Sequence, residues 1–462
     1  MNDFEGLTRE EVVSVAVQLY QQNQELAQAV SVLRERVGYL EKENEALRSQ
    51  VPGGGKGNGV PPFVKLNRKE RREGEKEQRK KRKKSFARRR ETPTEEIPHP
   101  VKGRCPDCGG SLSKPWEHSR RQVIEIPKTP VRIIDHVLMA RRCQCCGKVL
   151  VARVGIEDGV IGKHRVGIGL MSVVATLSTA GRIPQRTIQK VLKSLYQVHI
   201  SEGEISHILH EVAERGKETV DRLLEEVRGS PVAHGDETGA REDGMNGFLW
   251  SFSTPRVRYF WRDASRGAKV AQDILSDRFE GVLVCDFYAG YNWYSGPKQR
   301  CWVHYARDLK GLKEEHSGNG DVVSWVDSVL DVYKTAKKVA KRKHSEKERG
   351  RLASMFEEKL LSLARPYLKA EGAPQRTLAK RVEQFNGEFF TFVRYAGVPS
   401  DNNAAERAIR PAVTARKISG GTRSPRGSKT KSALFTLFGT WALREKDLLE
   451  ACSQMLASPA SA

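Results

Sequence analysis

Three acidic residues stand where a fold presents side chains to chemistry. Asp236 follows Val232 and His234 in PVAHGDETG, Asp286 ends the apolar run GVLVCD, and Glu406 lies one turn into DNNAAERAIRP. Carboxylates supply hard oxygen ligands, so three brought together suit Mg2+ or Mn2+. Side by side they repel, and divalent cations relieve that repulsion. Taken singly, either Asp serves equally well as a turn cap, and Glu406 as a surface partner of Arg410 at i,i+4. His234, on the face of Asp236, and His304, closing KQRCWVH, are candidates to support the acids. His304 is read as a transition-state donor or as a structural strand-end residue. Glu388 is the reserve for the third acid.

Sulfur carries a second chemistry. Cys105-x2-Cys108 and Cys143-x2-Cys146 are separated by 34 residues that include two strand-like runs, RQVIEIP and VRIIDHVLMARR. Two such knuckles bracketing a hairpin describe a zinc ribbon with one structural Zn2+; unligated thiols are the alternative. Cys145, inside the second knuckle, can compete as a ligand. Most of the eight cysteines fall in this cluster, which favours metal over disulfides in a reducing compartment.

The elements that must position the acids are legible in the patterning. Pro231–Phe252 reads as strand, turn and antiparallel strand, with Asp236 at the end of the first. Val257–Trp261 adds a third strand, and Gly267–Leu275 a helix capped by Ser265. GVLVCD suits a strand buried on both faces. Three antiparallel strands, a helical crossover and a parallel strand make an RNase H-like sheet, with Asp236 beside Asp286 if the last strand flanks the first. KQRCWVH is read as a fifth strand ending at His304. Residues 305–396 are helical and basic, an insertion that delays Glu406 in sequence while leaving it close in space. Trp325 is read there as a core residue, with base stacking as the alternative. Asp401 or Asn402 would cap the helix of Glu406. A last amphipathic helix spans Ser432–Arg444.

The chain has 462 residues, with 80 Lys+Arg against 57 Asp+Glu, a formal charge of +23. Such an excess suits a polyanionic partner, most simply nucleic acid. The longest apolar stretch, Gly167–Ala180, is too short to span a bilayer, and the acidic, polar start is no signal peptide. Leu19, Leu26, Leu33, Leu40 and Leu47 recur every seven residues, with Asn23, Val30, Val37 and Asn44 at the a positions. This pattern favours a parallel coiled-coil dimer, with other oligomers open. A Gly/Pro break follows, then a basic arm, Lys65–Arg90, with 15 Lys/Arg and four Glu. Lys80, Lys81, Arg82, Lys83, Lys84, Arg88, Arg89 and Arg90 are its candidate phosphate contacts. Beyond Glu406, Arg407, Arg410, Arg416, Lys417, Arg423, Arg426 and Lys429 form a second basic set, in a Gly- and Ser-rich stretch suited to phosphates. Residues 160–228 look wholly helical. The break QVHI between two helices there resembles a helix-turn-helix, and Ser201 with Glu204 forms a capping box.

The motifs HGDET, VLVCD and NNAAERAIRP, with CWVH and the amino-terminal cysteine pairs, resemble the insertion-sequence-66 family of DDE transposases. The family's catalytic acids fall on Asp236, Asp286 and Glu406, and its zinc-binding domain on the Cys105–Cys146 region. The chain departs from the family after His304, where Tyr305-Ala306-Arg307 replaces a basic pair and an aromatic. It departs again after Arg416-Lys417, where Ile418-Ser419-Gly420-Gly421 replaces an aromatic-aliphatic run.

The expected organisation is multidomain α/β. A coiled coil (1–50), a linker and basic arm (51–100), a zinc ribbon (101–152) and a helical domain (153–229) precede an RNase H-like core (230–452) with its helical insertion (305–396). The expected activity is DNA strand cleavage and strand transfer at insertion-sequence ends, with two Mg2+ or Mn2+ at the acids and one Zn2+. The expected partners are terminal inverted repeats and target DNA, a second copy of the chain through the coiled coil, and accessory proteins of the same element. No membrane is expected, and the place is the cytoplasm, on the nucleoid. A nuclease or resolvase that cuts without joining, or a non-catalytic DNA-binding protein derived from a transposase, are the alternatives.

Overall fold

A computed structural model of the chain describes residues 92–124, 131–162 and 164–458, with scattered helical positions between 21 and 38. The chain divides into two compact units, Met1–Ile124 and Glu125–Ala462, a division that falls within the 101–152 span. In the first unit Val30 and Val37 are helical and exposed. The heptad leucines, Asn23, Asn44 and the basic arm lie outside the described residues. Thr92–Ile124 contains no helix or strand. Its first cysteine pair sits in a tight turn, with Gly109 N–H donating to Cys105 O at 2.8 Å and Cys105 N–H to Gly110 O at 3.0 Å.

The second unit opens with an antiparallel pair, β1 (Ala140–Arg142) and β2 (Val149–Val151), that flanks the second cysteine pair. The end of VRIIDHVLMARR is a strand that pairs with the segment beyond Cys146, and residues 125–127 of RQVIEIP lie outside the described residues.

Four helices follow: α1 (Ile168–Thr179), α2 (Gln185–Tyr196), α3 (Glu202–Arg215) and α4 (Lys217–Arg228). Ser201 caps α3, its hydroxyl accepting Glu204 N–H at 3.0 Å. Then come β3 (Val232–Gly239), β4 (Phe248–Ser253), β5 (Arg258–Asp263), α5 (Ala268–Leu275), β6 (Val282–Cys285) and β7 (Lys298–Arg300). The strands form one sheet in the order β5-β4-β3-β6-β7. β3–β4 and β4–β5 are antiparallel, whereas β3–β6 and β6–β7 are parallel. β6 is buried at all four positions, as its unbroken apolar run requires. The N-cap of α5 is Gly267; Ser265 instead accepts the Gly267 N–H with its hydroxyl at 2.8 Å.

A helical body leaves the sheet after β7: α6 (Trp302–Glu315), α7 (Gly320–Ala340), α8 (Glu346–Leu368), α9 (Arg376–Gln384) and α10 (Thr391–Arg394). Its aromatic core, with Trp302 stacked on Tyr333 at 4.4 Å, continues into Val282 and Val284 of β6. The insertion is thereby locked to the strand that delivers Asp286. Trp325 is buried in this core and donates its indole N–H to Leu363 O at 2.8 Å, which removes it as a base-stacking surface.

The chain returns with α11 (Asn403–Ser419), α12 (Pro425–Leu443) and α13 (Leu448–Ala457). α12 starts earlier than expected, because Ser424 caps it, accepting Gly427 N–H at 3.1 Å, and Pro425 suits its first turn. Leu434, Leu437, Phe438 and Trp441 of α12 share one core with α1 and α3, so residues 153–229 do not build a separate core. Packed in this way and carrying Glu202, Glu204, Glu211 and Glu214, α3 is a poor candidate for entering a DNA groove.

The row Ser432, Thr436, Thr440 of α12 covers the edge strand β5. Arg258 N–H donates to Thr440 Oγ1 at 3.1 Å and Phe260 N–H to Thr436 Oγ1 at 3.0 Å. One helical turn, about 5.4 Å, roughly matches two strand residues, about 6.6 Å, so successive hydroxyls meet successive free amides. The edge is closed to further strand pairing. Among the described residues no helix is long and apolar enough to cross a membrane.

Candidate active site

The sheet register brings two acids together. Val232 lies opposite Val282 and His234 opposite Val284, where the pairing ends; the same offset carried two residues on makes Asp236 level with Asp286, whose charge acts on it. Residues two apart share a face, so both carboxylates leave the sheet on the side of His234. Asp236 is inside its strand rather than at the end, since β3 continues to Gly239 against β4. It nevertheless lies just past His234, where the pairing of β3 with β6 ends. Each carboxylate is held by its own backbone: Asp236 Oδ1 accepts Glu237 N–H at 2.9 Å, and Asp286 Oδ1 accepts Tyr288 N–H at 2.9 Å.

Glu406 is in the first turn of α11. His304 Nε2 lies 3.6 Å from its Oε1, and no ion pair with Arg410 forms among the described residues. Glu406 Oε1 is buried without a hydrogen-bond partner, and so is His304 Nδ1. His304 corrects the sequence reading, for it lies in the first turn of α6 and not at a strand end. Cys301 ends the extended segment one residue after β7, and the helix turns His304 toward Glu406.

Asn402 is the residue that sequence reasoning undervalued. It occupies the N-cap position of α11, yet its side chain makes no capping bond. Asn402 Nδ2 donates to Gly235 O at 2.7 Å, its Oδ1 lies 3.1 Å from His234 Nδ1, and its N–H points to Cys301 Sγ at 3.2 Å. Since the amide nitrogen is spent on Gly235, Oδ1 accepts, and His234 carries its proton on Nδ1. Burial pushes the His234 pKa down, consistent with a neutral ring. Asn402 thus staples the start of α11 to β3 one residue before Asp236. The doubled Asn of DNNAAER was the only sequence signal.

Arg300 braces Asp286 from behind. Fully buried, it donates to Asp286 O at 2.8 Å, Asn292 Oδ1 at 2.6 Å and Glu388 Oε2 at 2.6 Å. Lys298 Nζ reaches Glu388 Oε1 at 3.3 Å. Glu388 is therefore committed to two buried cations and is not free to replace Glu406. On the opposite face Glu237 accepts from Tyr291 Oη and Arg266 Nη2, each at 2.6 Å. A Cβ at residue 235 would stand 2.8 Å from the Tyr291 ring, which explains Gly235 in HGD.

Burial pushes the Asp236 carboxyl up to about 7; the charges of Glu237, Asp286 and Glu406 push the same way, against the Glu237 N–H bond. As they stand, no three His, Cys, Asp or Glu among the described residues are arranged to hold a metal ion. The chemistry of the set still fits a hard dication: oxygen donors, mutual repulsion and an unpartnered buried Glu406 oxygen. The sign for stability follows. With the folded pKa raised, the folded protein holds the extra proton between the unfolded value near 4 and about 7, so metal-free stability falls as pH rises across that window. Urea melts of metal-free protein between pH 4.5 and 7.5 should show this loss, and Asp236→Asn should flatten it. Equal slopes for the two proteins would remove Asp236 as its source.

The second basic set is not one loop. Arg407, Arg410 and Lys417 are exposed on α11, Arg423 between the helices, and Arg426 and Lys429 on α12. Arg416 turns inward, donating to Thr238 Oγ1 at 3.1 Å and to Gly239 O. The cysteine pairs form matching turns. Cys143 N–H donates to Lys148 O at 2.8 Å and Gly147 N–H to Cys143 O at 3.0 Å, repeating the turn at Cys105. Gly109 and Gly147 hold φ of +69° and +71°, a region costly for other residues. The backbone N–H groups of Cys108 and Cys146 hold the Cys105 and Cys143 thiols below their usual pKa, which favours the thiolate a metal needs.

The family model described as Transposase IS66 family matches residues 163–430, more than half of the chain. The chain belongs to the IS66 transposase family. A second model, the zinc-finger binding domain of transposase IS66, matches residues 102–147 and so spans all four paired cysteines of this transposase. The longer match contains Asp236, Asp286 and Glu406 and begins before α1, so it takes in the helices as well as the sheet. No curated protein matches the transposase closely enough to add to this.

Proposed function

We propose that this transposase cuts and joins DNA strands at the ends of its element, through an RNase H-like core in which Asp236, Asp286 and Glu406 form one site. The observation that supports the reading is the β3–β6 register, whose offset continued past His234 and Val284 would bring Asp236 level with Asp286, with the charges of Asp286 and Glu406 both acting on Asp236. The three carboxylates would hold two Mg2+ or Mn2+, whose chemistry is to activate the attacking oxygen and stabilise the leaving one. The chain's own groups do the positioning. Asn402 sets the angle of α11 against β3, Arg300 fixes the backbone at Asp286, and His304 stands beside Glu406 to orient it. No nucleophilic side chain is required for in-line displacement, so no covalent protein intermediate is expected. The test is incubation with Mg2+ and duplex bearing the element's ends plus a target plasmid. Joined products support the transposase reading, whereas cut but unjoined ends, even with the element's accessory proteins supplied, would make it a nuclease. The exposed helical Val30 and Val37 support a coiled-coil dimer as the working oligomer.

For the zinc-finger region we propose a single Zn2+ held by Cys105, Cys108, Cys143 and Cys146. Purified protein should contain one zinc per chain, and Cys105→Ser with Cys108→Ser should lose it together with protease resistance of residues 101–152. A zinc-free wild type with that region resistant would contradict the assignment.

A further inference from the structure

A small cavity lies where β3 and β4 run out beneath the junction of α11 and α12. Its walls carry four cations, Arg241, Arg262, Arg416 and Lys431, around the Gly420–Gly421 turn. No carboxylate lines it; among the described residues the one ion pair to these cations is Glu242, beside the cavity, 3.2 Å from Arg262 Nη1. Arg416 is spent on neutral oxygens, Thr238 Oγ1 and Gly239 O. Arg241 donates to Asn246 Oδ1 at 3.3 Å. Lys431 is half-buried, its pKa lowered by burial alone with no carboxylate to offset it. Arg262 Nε and Ser432 Oγ are buried with no hydrogen-bond partner. Ser432 is the rung of the α12 hydroxyl row beyond Thr436, at the point where the edge-strand pairing gives way to the cavity. Desolvating cations and donors without acceptors costs free energy, so an absent acceptor is indicated.

We propose that this cavity is a subsite for one backbone phosphate of the bound DNA strand, recognised by Lys431, Arg262 and the Ser432 hydroxyl. The inference rests on the transposase reading of the neighbouring acids. A cavity of about 40 Å³ admits the outward oxygens of a phosphate and excludes a nucleobase or a small-molecule ligand, which needs roughly 300 Å³. Its position fits a strand leaving the acids. Thr238 is two strand residues, about 7 Å, beyond Asp236, and Arg416 is ten helical residues, about 15 Å, beyond Glu406. At about 3.4 Å of axis per nucleotide, the phosphate held here is roughly two to four nucleotides from the scissile one.

The test uses the full chain without added Mg2+, so that binding is read apart from cleavage. Anisotropy of a duplex bearing the element's end is followed from low to high salt for wild type, Lys431→Met and Lys431→Arg. Lys431→Met should flatten the log–log salt slope by about 0.9, the loss of one phosphate contact, and Lys431→Arg should restore it. Without DNA, Lys431→Met should melt about 2 °C or more higher than wild type, because it removes a desolvated charge. A purely structural lysine would move the melt the other way and leave the slope alone. Inorganic phosphate at millimolar concentration should raise the wild-type melt without affecting Lys431→Met if the pocket takes any phosphate; if only DNA discriminates the two proteins, the phosphodiester is the ligand. A steep wild-type slope left unchanged by Lys431→Met overturns the subsite alone. A wild type that does not bind the duplex at all overturns the transposase reading beneath it.

Discussion

Asp236→Asn, Asp286→Asn and Glu406→Gln should each slow cleavage of DNA carrying the element's ends by on the order of 100-fold or more, with DNA binding retained. That is the scale of losing a major electrostatic stabiliser at a reacting phosphate. Binding should survive because the proposed phosphate contacts are cations such as Lys417, Arg423 and Lys429, exposed and ten or more residues beyond Glu406. Double variants should be little worse than single ones, since groups that act as a unit are not additive. Gel assays of end cleavage, normalised to bound DNA, check both statements. Independent multiplicative losses would show that the acids act separately.

The second large effect concerns stability. Glu388→Ala should cost about 3–5 kcal/mol, because it leaves Arg300 buried without its carboxylate and Lys298 without its ion pair. The loss should be visible as a lower urea midpoint, and cleavage should fall only as far as the unfolded fraction requires. Arg300→Met combined with Glu388→Leu should recover part of the stability, since apolar replacement of a buried pair is often neutral or better. A Glu388→Ala protein as stable as wild type but unable to cleave would put Glu388 in the site and remove Glu406.

How much of this was legible in the sequence depended on how local the signal was. GVLVCD announced a doubly buried strand ending in an acid because a short unbroken apolar run suits one, whereas its place beside the first strand stayed conditional until the fold gave the order. Helices with local caps, such as Ser201 and Ser424, were readable or nearly so. The misreadings came where a distant partner decided. KQRCWVH has β-like composition throughout, but Trp302 and Tyr305 belong to the aromatic core of the insertion, and burying both at i,i+3 demands a helix from residue 302. Asp236 looked like a strand end because Gly235 and the turn-rich REDGMNG surround it, yet pairing with β4 carries the strand on to Gly239. Asn402 was invisible as a staple because its three partners are 101 to 168 residues away in sequence. The same distance hid the ties of Glu388, whose partners only the fold brings within reach.

The most direct measurement is the binding of Mn2+ to the DNA-free transposase, followed by the loss of the free ion's magnetic resonance signal. The account predicts that wild type binds Mn2+ in a pH-dependent manner, tightening as Asp236 loses its proton near pH 7. Each of Asp236→Asn, Asp286→Asn and Glu406→Gln should weaken that binding. Loss of an outer partner alone costs a metal site about 10- to 100-fold, so a direct ligand should cost at least as much. Mn2+ bound as tightly by Glu406→Gln as by wild type would contradict the claim that the three carboxylates form one site.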